Sequence, residues 1–205
     1  KTNIYSSRQL QDFYNSEGFD FTTYSASVSW RRITLDRGLF PTSGTSNGIS
    51  LSLTLPGSNL NYGRFTHELK YFEPIPLGLI FSYRSKLGYL FAYGDTETAP
   101  PYQYFYAGGM RSVRGFKQNY LGPKAVYQSG FNPRSQRPVG GPYSITGGFD
   151  LIIPLSFVPD PRSVRGSVFL DYGNVFSDGC RSYETNCYEF DLSELRYSIG
   201  IGVTW

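Results

Sequence analysis

From Phe19 to the C-terminus the chain alternates apolar and polar residues with a period of two, the mark of strands whose two faces meet different surroundings. In the first run Tyr24, Ala26, Val28 and Trp30 share one side, while Thr23, Ser25, Ser27, Ser29 and Arg31 share the other. Ile49, Leu51, Leu53 and Leu55 then oppose Ser50, Ser52 and Thr54. Phe65, Leu69 and Tyr71 oppose Arg64, Thr66, Glu68 and Lys70; Leu79, Phe81, Tyr83, Leu87, Tyr89 and Phe91 oppose Ser82, Arg84, Lys86 and Gly88. Further on, Ile145, Phe149, Leu151 and Ile153 face away from Thr146, Gly148 and Asp150. Val168, Leu170 and Tyr172 oppose Arg165, Ser167, Phe169, Asp171 and Gly173. Leu195, Tyr197, Ile199, Ile201, Val203 and Trp205 oppose Arg196, Ser198, Gly200, Gly202 and Thr204. The pattern predicts about seven strands. Turn chemistry separates them in LDRGLFPTSGTSNG (Leu35 to Gly48), Pro56-Gly57-Ser58, Glu73-Pro74 to Pro76, and the polar Phe131 to Pro142. Ahead of the strands, Ser6 to Gly18 has helical spacing: Leu10, Phe13 and Tyr14 form a stripe, Ser7 suits the N-cap and Gly18 the stop.

The two faces identify the surroundings. A soluble sandwich hides its apolar face and shows a charged one. Here one face is aliphatic and aromatic with Tyr and Trp near strand ends, while the other carries Ser, Thr, Gly, Arg, Lys and Asp, which suits a wet lumen. Composition agrees, with 18% aromatic residues, 18 Tyr against 2 Trp, 23 Gly and only 17% charged residues. No window approaches the eighteen or so apolar residues of a membrane helix. The expected fold is therefore all-β, a transmembrane antiparallel β-barrel. Bacterial single-chain barrels have even strand counts, so about seven strands reads as part of a larger barrel spanning 1–205. Its unpaired edges would then have to close oddly, or pair between two copies in a fragment dimer. The chain opens at Lys1 with no signal peptide and reads as a mature or trimmed segment. A net charge of +3 with no basic run gives no footing for nucleic acid.

One stretch fits neither strand nor ordinary loop: YQYFYAGGMRSVRGFKQNYLGPKAVY, Tyr102 to Tyr127. Gly108-Gly109, Gly115 and Pro123 break regular structure, yet seven rings crowd the segment, so it should pack inward against the strands. Within it, Arg114 sits in Val113-Arg114-Gly115-Phe116. A buried guanidinium needs carboxylates, since an unpaired one costs several kcal/mol, roughly. Asp150 and Asp171, both on the polar side by alternation, are the prospective partners.

Gly108-Gly109, Val113-Arg114-Gly115-Phe116 and Leu121-Gly122-Pro123-Lys124, in that order, resemble a loop of the BamA family, central subunits of the outer-membrane β-barrel assembly machinery. LDRGLFPTSG (Leu35 to Gly44), Leu55-Pro56-Gly57-Ser58 and FLDYGNVF (Phe169 to Phe176) are similar to the same family. The arginine motif alone marks only the wider superfamily of secretion pores and organelle import channels. The resemblance implies that the loop folds into the lumen and that Arg114 contacts Asp150, Phe169 and Asp171. It also implies folding and insertion of β-barrel proteins at the bacterial outer membrane, with the bilayer, unfolded client proteins and accessory Bam lipoproteins as partners. The family's periplasmic POTRA domains, first strands and last two strands have no counterpart in the chain, so the lipoproteins and the lateral gate would belong to other parts of a full-length relative.

The remaining candidates are weaker. Cys180 and Cys187, seven positions apart in a polar loop, fit a disulfide in an oxidising compartment; two free thiols are the alternative. Without a nearby His they do not make a zinc site. His67, the one histidine, shares the apolar side with Phe65 and Leu69, as an interfacial residue would. No nucleophile and acid converge on it, so the chain reads as non-enzymatic, with no metal or cofactor. Glu184, Glu189, Asp191 and Glu194 read as a solvated loop face. A two-partner secretion pore shares the arginine motif and is the alternative function. A passive porin would need the lumen clear of the loop.

Overall fold

The computed structural model describes residues 7–127, 137–154, 164–184 and 187–204. Ser6, Trp205 and the start of the polar 131–142 stretch lie outside them. Seven antiparallel strands form one sheet in sequence order: β1 (Ser25–Ile33), β2 (Gly44–Thr54), β3 (Tyr62–Ile75), β4 (Leu79–Ala92), β5 (Tyr143–Pro154), β6 (Arg165–Phe176) and β7 (Arg196–Thr204). Each strand neighbours the next, so every connection is local. Among the described residues β1 pairs only with β2 and β7 only with β6, and the two outer edges do not meet each other.

Strand ends depart from the expected boundaries in two places. Gly44 to Gly48, expected in a turn, lie in β2 and pair with Phe72 to Glu68. Thr45, Ser46 and Asn47 have no apolar alternation to betray a strand, and backbone pairing holds them. Glu73 and Pro74, also expected in a turn, continue β3 opposite Phe81 and Ile80. The reversal comes at Pro76–Gly78, where Leu77 and Gly78 take positive φ.

Register confirms the two-faced pattern. Across β1–β3, Val28 faces Leu51, which faces Phe65; Ser27 faces Ser52, which faces Arg64. The apolar face is open to the surroundings: Val28, Trp30, Leu170, Ile199 and Ile201 are all exposed, Ile201 to 85%. The buried apolar clusters lie instead where the connecting segments pack on the polar side. This inverts a soluble domain and fits a wall between lipid and a lumen.

The sheet curls toward its polar face. In the β1–β2 turn, the carbonyls of Phe40 and Pro41 accept from the Arg165 guanidinium on β6, the latter at 2.8 Å. Four strand spacings separate β2 from β6, ~19 Å along a flat sheet. At the opposite rim, helix α1 (Arg8–Glu17), capped by the Ser7 hydroxyl and stopped at Gly18, leads into β1. Its Asp12 nevertheless pairs with Arg181 and accepts from the Tyr183 hydroxyl (2.5 Å), both in the β6–β7 loop. Phe13 buries itself among Leu60, Tyr62, Leu90 and Phe105.

Candidate functional site

The long connection between β4 and β5 turns back over the polar face. Pairing of Phe105 with Gly141 and Ala107 with Leu121 draws its middle into a compact lobe. Gly108 and Gly109 take φ of 105° and 94°; a side chain on Gly108 would strike the Lys117 carbonyl at 2.5 Å. Val113 is fully buried with Ala107, Leu121 and Val175, while Phe116 packs on the edge of that cluster. Burial of Val113 carries the next residue down onto the strands.

Arg114 is held there by three kinds of contact. Its Nε and Nη2 donate to the two oxygens of Asp171 on β6, both at 2.7 Å, and its backbone N–H donates to the same carboxylate at 2.9 Å. Nη2 also lies 2.7 Å from Asp150 on β5. The guanidinium stacks 3.7 Å from the Phe169 ring centroid. Bidentate, charge-assisted and stacked contacts of this kind are among the stronger polar interactions available to a protein. Burial disfavours the charge, but the hydrogen bonds to Asp171 and Asp150 prevail and raise the arginine's pKa. From β7, the Ser198 hydroxyl donates to the Arg114 carbonyl at 2.5 Å. The three residues named from the sequence as partners, Asp150, Phe169 and Asp171, thus converge on Arg114.

Sequence reasoning missed a fourth participant. Arg84 on β4 donates to Asp171 at 2.5 Å, so the fully buried carboxylate is shared by two arginines. Gly148 lies between them in the register, Arg84 opposite Gly148 and Gly148 opposite Asp171. A side chain at Gly148 would meet the Asp171 oxygen at 2.3 Å, so the glycine is the window through which the contact passes. Only the register shows this; alternation places Arg84 on the polar face without naming a partner. Arg165 was missed similarly. It is 7% exposed, has carbonyl rather than carboxylate acceptors, and lies over the Phe40 ring at 5.2 Å. The turn it grips is itself tied by Asp36, which accepts from Thr42 and Ser43; these bonds hold the Asp36 carboxyl well below the usual carboxylate range.

The other candidates fall elsewhere. Cys180 and Cys187 form a disulfide in the β6–β7 loop. Glu184 and Glu189 accept from the backbone of Arg181 and Cys180, Asp191 caps Ser193, and Glu194 pairs with Arg196. They are local loop braces. His67 lies on the apolar face and bonds Asn47 at 2.9 Å.

The chain as a whole has counterparts among known proteins. The Omp85 superfamily domain matches residues 2–205. The outer membrane protein assembly factor BamA of Neisseria meningitidis serogroup B is 32% identical over 200 residues, covering 89% of this chain and 24% of that protein. The mouse sorting and assembly machinery component 50 homolog is 28% identical over 155 residues, 72% of this chain and 30% of its own length. The crystal structure of BamA from Haemophilus ducreyi lacking POTRA domains 1-3 superposes with a TM-score of 0.84 at 28% identity, covering 100% of this chain and 42% of that one. The chain thus spans less than a third of the length of either of these curated relatives.

Proposed function

The chain belongs to the Omp85 superfamily, and on that premise we propose that it is part of an insertase that folds β-barrel proteins into the bacterial outer membrane. The observation that carries the reading is the arginine-pinned lobe: Arg114, Asp150, Phe169 and Asp171 fix a large segment against the wall where a passive pore would be open. Similarity to two proteins named for assembly, one from a bacterium and one from the mouse, supports it.

On this reading the strands form the C-terminal part of a barrel whose outward apolar face meets the bilayer. The lobe, helix α1 and the disulfide loop cap one rim. The work is physical: the barrel offers backbone edges on which a client strand pairs, a form of β-augmentation in lipid. The lock around Arg114 maintains the shape of the wall during that exchange, and no bond is made or broken. Client proteins and the bilayer are the partners. Accessory lipoproteins would engage segments of a longer protein beyond these strands.

The test is depletion of the protein in cells that make it. Folded outer-membrane β-barrels should decline together while their unfolded forms accumulate. Unchanged barrel assembly with a stalled secreted passenger would overturn the reading in favour of a translocation pore.

A further inference from the structure

Between the lobe and the polar face of β3–β5 lies a second feature, a half-open cavity of about 580 Å³. Five cations line it, Arg64, Lys70, Arg84, Lys86 and Arg111, against a single carboxylate, Glu68. Two of the five are already matched: Lys86 takes Glu68 at 2.7 Å, and Arg84 takes Asp171. Among the described residues Arg64 and Arg111 make no ion pair, and Lys70 acts on Glu68 only from beyond ion-pair distance. Arg64 is held in place, its guanidinium 4.3 Å from the Phe105 ring centroid, and its Nε is buried without a hydrogen-bond acceptor. A buried donor left unmatched beside surplus positive charge is a site prepared for an acceptor-rich anion.

We propose that this cavity binds a phosphate-class oxyanion, clamped between Arg64 on the strand side and Arg111 on the lobe. The volume suits a compact phosphorylated group. A guanidinium fork donates to two phosphate oxygens at once, and Lys70 adds a point charge from the wall. Occupancy ties the lobe to β3 and β4 beside the lock on β5 and β6, with Arg84 standing between the two. A phosphorylated lipid headgroup and free polyphosphate present the same chemistry, and the titrations below distinguish them. The proposal does not rest on the insertase reading, and its failure leaves the depletion result standing.

The experiment is calorimetric titration of the detergent-solubilised protein with tripolyphosphate, with water-soluble short-chain phosphatidate, and with an oligoglutamate peptide. Both phosphates should bind, and Arg64→Gln/Arg111→Gln should weaken them about tenfold or more. The remote control Arg32→Gln/Arg37→Gln, with the same charge change, should move them less than about twofold. Tighter phosphatidate assigns a lipid headgroup; tighter tripolyphosphate assigns a free anion. On the unaltered protein, tripolyphosphate should also slow phenylglyoxal modification of Arg64 and Arg111 relative to Arg37, read by mass spectrometry. The proposal is overturned by silent titrations, by equal losses in both variants, by unprotected arginines, or by a peptide that binds and resists displacement by phosphate.

Discussion

At the scale of the residue, Asp171 is the pivot. It is fully buried and carries a negative charge that two arginines from different elements neutralise. Removing one partner of a buried ion pair typically costs ~3–5 kcal/mol, and because Arg84 remains, Arg114→Ala belongs at the lower end of that range. The strands should keep their circular dichroism while the lobe loosens, so that trypsin cuts faster after the exposed Arg111 and Lys117. Unchanged cleavage would show that the lobe is held by Val113 and its apolar neighbours alone. Arg114→Lys should behave almost as badly, since an ammonium keeps the charge but neither the fork nor the stacking on Phe169. The sequence exposed much of this site. Arg114 stood out among rings and glycines, and alternation put Asp150 and Asp171 on its side of the wall. Arg84 and Arg165 stayed hidden because their partners are set by register and curvature, which a one-dimensional pattern does not encode.

At the scale of the element, strands were legible from their faces and illegible at their ends. Alternation disappears where both faces are polar, as at Gly44 to Gly48, and there backbone pairing decides, helped by side-chain bonds such as Asn47 to His67. The connecting segments carry their own tests. In the β1–β2 turn, Arg165→Ala removes charged hydrogen bonds worth about 1.5–3 kcal/mol, so trypsin should cut after Arg37 faster, with β6 unaffected. In the β6–β7 loop, reduction of the Cys180–Cys187 bridge releases a short loop worth roughly 2–3 kcal/mol on chain-entropy grounds. Loss of that order should loosen Arg181 and Tyr183 from Asp12, seen as faster amide exchange in α1. In the lobe, burial pushes the Tyr104 hydroxyl up, and burial with help from Tyr62 pushes Tyr102 up to about 12. Below the ordinary tyrosine pKa of about 10, phenols are neutral in folded and unfolded chains alike, and this contribution to stability is complete. Above it only the unfolded lobe ionises, so stability falls as pH rises toward and through the folded values. Absorbance of tyrosinate at 295 nm should therefore show a late-titrating group that Tyr104→Phe removes.

At the scale of the molecule, the wall has its apolar side outward. Trp30 is 54% exposed on that side, level with Ile49. In a Trp205→Phe background, lipids brominated along their acyl chains should quench Trp30 fluorescence strongly, and acrylamide in the water should quench it weakly. The reverse would place that face in water and undo the barrel assignment. On the outer side Tyr83 and Tyr172 join hydroxyls at 3.0 Å above Gly147, covering the gap the glycine leaves. The membrane-facing surface is thus continuous where the strand lacks a side chain of its own.

Both rims of the sheet are tied from one side to the other: Arg165 to the Phe40–Pro41 carbonyls, and α1 to the disulfide loop. In geometrical terms these are two chords drawn across one arc, at opposite heights. An arc with two fixed chords has a fixed radius and cannot taper freely. The curvature is then a property of this chain, held by an arginine at one height and a covalent loop at the other. Any strand that extends β1 or β7 meets a template already bent and inherits its radius.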